Sequence, residues 1–125
     1  MYVHEQTRPV PSTIPGVAHA TWSGQPTGAR QLSVWSQSLA PAAATPPHRH
    51  DCEEVIFCSG GTGELHIDGG VHRFCAGSLV TVPRDAMHQI FNVGPGPLEM
   101  TAVFAATPVE VFLPDGSELP LPWAS

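Results

Sequence analysis

The chain has no lysine and only five arginines, against eleven acidic residues in 125, a formal net charge of −6. Nucleic-acid binding needs clustered Lys or Arg to displace counterions from phosphates, so that class is excluded, as is docking on an anionic membrane surface. The single tyrosine sits at position 2, which disfavours mechanisms that need a tyrosine base inside a folded core. No apolar run approaches the roughly 18 residues of a membrane span, and the start MYVHEQTRPVPSTIPG lacks the basic and apolar regions of a secretory signal. A cytoplasmic protein is expected. The three cysteines (Cys52, Cys58, Cys75) are odd in number and irregularly spaced. They read as free thiols rather than a disulfide framework, and no CxxC is present to suggest a zinc finger. Helix patterning is missing too: no window of eleven or more residues carries apolar positions at i, i+3, i+4 and i+7 without a Pro or Gly.

What remains is a succession of short β-type runs. QLSVWSQSL (31–39), EEVIFC (53–58), GELHID (63–68), VHRFC (71–75), SLVTV (78–82), HQIFNV (88–93), LEMTAVFA (98–105) and VEVFL (109–113) are each strand length and bounded by turn residues. Asp68–Gly69–Gly70 can take positive φ and predicts a tight hairpin. His66 and His72 flank it and are expected as a cross-strand pair at the surface, and Cys58 and Cys75 as small buried hydrophobes. Many short strands without a crossover helix imply an all-β, antiparallel sandwich or barrel in one domain. The expected organisation is an arm over 1–30, a barrel over 31–113 and an apolar arm over 114–125. In the last of these Leu119, Leu121 and Trp123 share a face and pack either on the same chain or on a second copy.

The chemistry concentrates in TPPHRHDCEEVIFCSGG, residues 45–61. On a strand, period two puts His48 and His50 on one face and Arg49 on the other. In the next strand Glu54, Ile56 and Cys58 face one way and Glu53, Val55 and Phe57 the other. Two imidazoles and an inward carboxylate form a ligand set for a first-row divalent metal; two surface histidines beside an acidic pair are the plain alternative. Cys52 lies in the corner between them, where neither its parity nor a nucleophilic pairing with His88 is defined. Downstream, GSLVTVPRDAMHQIFN (77–92) ends a strand at Pro83, turns, and opens another at His88.

These two stretches resemble the two signature motifs of the cupin superfamily, and within it the small single-domain members. His48-Arg49-His50 is followed after three residues by Glu54 and after six more by Gly61. Gly77 is followed after five by Pro83, then by Arg84, Asp85, His88 and Asn92, and 15 residues separate Gly61 from Gly77. Two positions depart from the pattern: Ala42 and Asp85 stand where the family has glycine, both at turns. The resemblance implies a double-stranded β-helix (jelly-roll) barrel. It implies His48, His50, Glu54 and His88 as ligands of one divalent transition metal (Fe, Mn, Ni, Co or Zn), and a homodimer. Gly61, Gly77, Pro83 and Asn92 become residues of the fold. Four protein ligands close a tetrahedral zinc site but leave two positions open on an octahedral ion. The function then expected is a small metal-dependent enzyme of dioxygenase, isomerase or lyase type acting on a small organic molecule. The alternative is a non-catalytic small-molecule-binding or sensing module. With so few cations a phosphorylated sugar-nucleotide substrate is disfavoured.

Overall fold

The computed structural model describes residues 2–125. It is built from nine strands: β1 (Val10–Pro11), β2 (Val17–Ser23), β3 (Ser33–Leu39), β4 (Glu54–Gly60), β5 (Thr62–Ile67), β6 (Gly70–Cys75), β7 (Leu79–Val82), β8 (His88–Asn92) and β9 (Leu98–Phe104). One turn of 3-10 helix at Gln25–Thr27 is the only helical segment among the described residues. Every pairing is antiparallel. Six strands form one sheet in the order β1-β2-β3-β9-β4-β7, and three form the other in the order β6-β5-β8. This is the all-β, antiparallel sandwich that the run of short strands predicts, and the jelly-roll that the cupin resemblance implies. No helix among the described residues is long and apolar enough to cross a membrane.

Period-two alternation sorts the side chains. On β9, Leu98, Met100, Ala102 and Phe104 point inward and are buried. On β4 the inward set is Glu54, Ile56 and Cys58, while Glu53 and Phe57 are exposed. The two inner faces meet in one core with Trp35, Leu39, Leu65, Phe74, Val82 and Ile90. Each fully buried Leu or Phe contributes roughly 1.5–3 kcal/mol of transfer free energy there.

Turn chemistry sets the connections. Asp68 (φ 52) and Gly69 (φ 72) both take positive φ, the type I′ pattern whose twist matches the flanking strands, and they close Ile67 on Gly70. Gly61 sits at φ +86 where a Cβ would lie 2.4 Å from the Pro97 carbonyl oxygen. Two non-glycine residues also adopt the left-handed region: Ala42 (φ 66) and Asp85 (φ 64). These are the two positions where the motif pattern has glycine, so the turn shape is kept although the residue is not.

Several expectations are corrected. VEVFL (109–113) is not a regular strand: Val109 and Val111 are buried, but Phe112 makes only isolated bridges to Arg49 and Glu118. Cys75 is exposed rather than buried, because Phe74 takes the inward position on β6. His66 and His72 are not opposite one another; His66 pairs with Val71 and Leu65 with His72. His19, which carries no signal in the sequence, is buried.

Candidate metal centre

The first two imidazoles come from the segment before β4. His48 forms a reciprocal backbone pair with His88: His48 N–H donates to His88 C=O at 3.0 Å, and His88 N–H to His48 C=O at 2.8 Å. His50 is tied at its own carbonyl by the Asp85 N–H, 2.8 Å away. The left-handed Asp85 turn therefore clamps the second motif onto the first. Alternation then sends His48 and His50 inward and leaves Arg49 on the outer side, 2.8 Å from the Asp85 carboxylate and stacked 4.5 Å from the centre of the Phe112 ring. His48, His50 and His88 are all buried, and each offers a ring nitrogen within 4.8 Å of the others.

The hydrogen bonds fix which nitrogen is free. His48 Nδ1 lies 2.6 Å from Pro46 O, His50 Nδ1 2.9 Å from Glu110 O and His88 Nδ1 2.9 Å from Ala86 O. A carbonyl oxygen only accepts, so each Nδ1 carries the proton and each Nε2 presents a lone pair to the centre. Glu54 Oε1 lies 3.4 Å from His88 Nε2 and 3.7 Å from His50 Nε2. Both Glu54 Oε1 and His88 Nε2 are buried without a hydrogen-bond partner. Electron-rich atoms facing one another in a dry interior repel unless a positive charge lies between them. Three imidazole nitrogens and a carboxylate are also the donor types that first-row divalent ions prefer. The three histidines are thus able to hold a metal ion, and the orphaned carboxylate oxygen beside them fits the same role.

The electrostatics of His48 and His50 agree. Burial lowers the His48 pKa to about 4, helped by the neighbouring imidazoles, and burial likewise lowers His50. At neutral pH both are uncharged, as metal ligands must be. Burial also opposes charge on His88, but the Glu54 carboxylate outweighs it and raises His88 above its usual value. Glu54 is pulled the other way: burial favours its neutral form, yet the surrounding imidazoles lower its pKa overall.

Cys52 is buried in the corner before β4, and its thiol is pushed up to about 11 by burial and by Asp51 and Glu54. It is neither a thiolate nor part of the histidine group. Asn92 is a fold residue: its amide donates to Leu39 O and Gly96 O, both at 2.9 Å, and its oxygen accepts from the Gly94 N–H at 3.0 Å.

Two small chambers meet at the histidines. The inner one, about 30 Å³, is lined by His48, His50, Glu54 and His88 with Trp35, Gln37, Thr45, Ile56, Ile90, Met100, Ala102 and Phe104. It has the volume of about one water molecule. The outer one, about 50 Å³, shares Trp35, Gln37, Thr45, His48 and His50. It is closed by Ile14 and Val17 from the N-terminal side and by Leu119, Leu121 and Trp123 from the C-terminal segment. That segment packs on its own chain: the Trp123 ring lies 3.8 Å from His19 at an interplanar angle of 10°, and edge-on to Trp35 at 5.3 Å. Sequence reading missed His19 and Gln37. The available signal was parity: period two puts residues 17, 19 and 21 on one face of β2 and 35, 37 and 39 on one face of β3.

The family model for the cupin domain matches residues 35–104, more than half of the chain. The chain belongs to the cupin family. Among curated proteins, this cupin is 30% identical over 109 residues to auxin-binding protein 1 of Arabidopsis thaliana, across 79% of this chain and 55% of that protein. It is 32% identical over 117 residues to auxin-binding protein T85 of Nicotiana tabacum, across 84% of this chain and 63% of that protein. The chain spans less than two thirds of the length of these relatives. Among solved structures it superposes on the polyketide cyclase RemF of Streptomyces resistomycificus with a TM-score of 0.67 at 22% identity, covering 76% of this chain and 70% of that one. That likeness is one of fold.

Proposed function

We propose that His48, His50, Glu54 and His88 hold one divalent transition metal, and that the protein binds a small, largely apolar molecule through an oxygen directed at that ion. The observation that carries the reading is the convergence of three Nε2 lone pairs and an unpartnered buried carboxylate oxygen on one point, with an apolar chamber next to it. The ion would supply a Lewis acid that holds and polarises an oxygen of the ligand. The chain's own part is to keep the imidazoles in the Nδ1–H tautomer, to exclude water with Trp35, Ile90 and Phe104, and to cover the outer chamber with Leu119, Leu121 and Trp123. A carboxylate or carbonyl compound suits such a site. The resemblance to auxin-binding proteins supports binding of a small ligand as the role. The chambers are far smaller than the roughly 300–1,000 Å³ of a drug-sized pocket, so a ring-bearing ligand requires the C-terminal segment to shift.

A second reading, a metal-dependent enzyme of dioxygenase, isomerase or lyase type, draws on the coordination number. Four protein ligands leave two positions open on an octahedral ion. Against acid–base chemistry, the polar side chains lining the inner chamber besides the four ligands are only Gln37 and Thr45, together with the Trp35 indole, and none of these titrates near neutral pH.

The test is elemental analysis of untagged protein with His48→Ala and His88→Ala alongside, followed by titration of the metal-loaded protein with phenylacetate and indole-3-acetate. About one equivalent of metal, lost in both variants, is expected, with saturable acid binding that requires the metal. Metal-free protein whose stability is untouched by either substitution would overturn the assignment. A metal with no acid binding, together with turnover of a screened carbonyl substrate, would move the conclusion to the enzyme.

A further inference from the structure

His19 is buried opposite Gln37 across β2 and β3 and belongs to a directional chain of hydrogen bonds. Thr21 Oγ1 lies 2.7 Å from the Ala124 carbonyl oxygen, which only accepts, so the single hydroxyl proton of Thr21 is spent there. Thr21 Oγ1 lies also 2.7 Å from His19 Nε2. With its proton committed, the hydroxyl oxygen can only accept, so His19 carries its proton on Nε2. His19 Nδ1 is then a lone pair, and it faces the Gln37 amide nitrogen at 3.1 Å, from which it accepts. The amide is thereby oriented. Its nitrogen is held towards His19 on β2, which leaves its oxygen free of that imidazole. Gln37 lines both chambers. Trp123 stacks on the same imidazole, so the segment that covers the outer chamber also anchors the chain of bonds.

Resting on the binding role given above, we propose that His19 is a positioning residue. Locked in the Nε2–H tautomer by Thr21 and the Ala124 carbonyl, it presents the Gln37 amide oxygen to the chamber. Ligands with an N–H or O–H donor beside the oxygen directed at the metal, such as a primary carboxamide, therefore gain a hydrogen bond to Gln37 that an acid bound through the same oxygen does not. Thr21→Val keeps the shape of the side chain but removes the oxygen. His19 then has no acceptor at Nε2 and moves its proton to Nδ1, and the Gln37 amide turns over to accept it.

The imidazole nitrogen resonances read the tautomer directly on metal-free protein, so this arm does not depend on metal binding. His19 is expected as Nε2–H in the wild type and as Nδ1–H in Thr21→Val; Nδ1–H in the wild type overturns the proposal, whether or not the variant folds. The second arm uses Co²⁺-loaded protein and the matched probes propionamide and propionate. The affinity ratio of amide to acid should fall at least five-fold in Thr21→Val, and by less than two-fold when the same substitution is made in a Gln37→Leu background. An equal change in both backgrounds, or none in either, would show a general structural effect and sink the assignment. Failure of Co²⁺ to bind would instead count against the metal reading and leave the tautomer to decide this one.

Discussion

Replacing Ala42 by glycine should stabilise this protein, against the usual direction of glycine substitutions. Ala40–Pro41–Ala42–Ala43 is a tight turn closed by the Ala43 N–H on the Ala40 carbonyl at 3.0 Å. Proline occupies the second position and Ala42, at φ 66, the third, the place where a type II turn calls for glycine. A left-handed non-glycine residue costs about 1–2 kcal/mol. Glycine gives back about 0.5–1 kcal/mol of that through its greater freedom in the unfolded chain. Ala42 is exposed, so removing its methyl group leaves no cavity. The net gain is about 0.8 kcal/mol, which at about 2.1 cal/mol/K per residue corresponds to a rise in Tm of about 3 °C for a chain of this size. Differential scanning calorimetry should be run on metal-free protein, because a bound ligand would shift Tm by mass action. Asp85→Gly is the internal comparison. It relieves the same kind of strain but gives up the exposed Arg49–Asp85 pair at 2.8 Å, worth about 0–1 kcal/mol, so its gain should be smaller. An unchanged or lowered Tm in Ala42→Gly would refute the strain argument.

Gly61→Ala should cost about 3 kcal/mol or more, because the added methyl meets backbone at Pro97 and Leu98 and cannot take its φ of +86 without strain; urea unfolding will read the loss as a lower midpoint at constant m. Trp123→Ala should destabilise by about 2 kcal/mol, since the ring is only half buried, and should speed metal release to a chelator by opening the outer chamber. Burial lowers the His19 pKa to about 4, below its value near 6.5 in the unfolded chain, so between about pH 6.5 and 4 the unfolded state binds the extra proton. Stability must therefore fall as pH falls through that window, by up to about 1.4 kcal/mol per pH unit from this group. His19→Gln should flatten the pH dependence of the urea midpoint there, and parallel curves would contradict the buried, neutral assignment.

Local order along the chain was enough to specify β3 to β9, the Asp68–Gly69 hairpin and the inward parity of Glu54, while β1 and β2 lay hidden in the arm expected over 1–30 and the pairing of the two histidine motifs came from the cupin resemblance. The local readings rest on period-two alternation and on turn residues with positive φ, and the resemblance rests on the fixed separations within and between the two motifs. Residues 109–113 misled because valines and phenylalanine in alternation read as a strand, whereas Phe112 only bridges Arg49 and Glu118. Cys75 misled because apolar character does not say which face of β6 it takes. What only the tertiary structure decided is the state of the side chains that meet across strands. The carbonyls of Pro46, Glu110 and Ala86 that set the three imidazole tautomers are fixed in space by the fold. Glu110 O is 60 positions from its histidine, a distance at which no sequence period operates. The C-terminal segment gave no sign that it ends on His19; that contact, which joins residue 19 to residue 123, exists only once both sheets have closed.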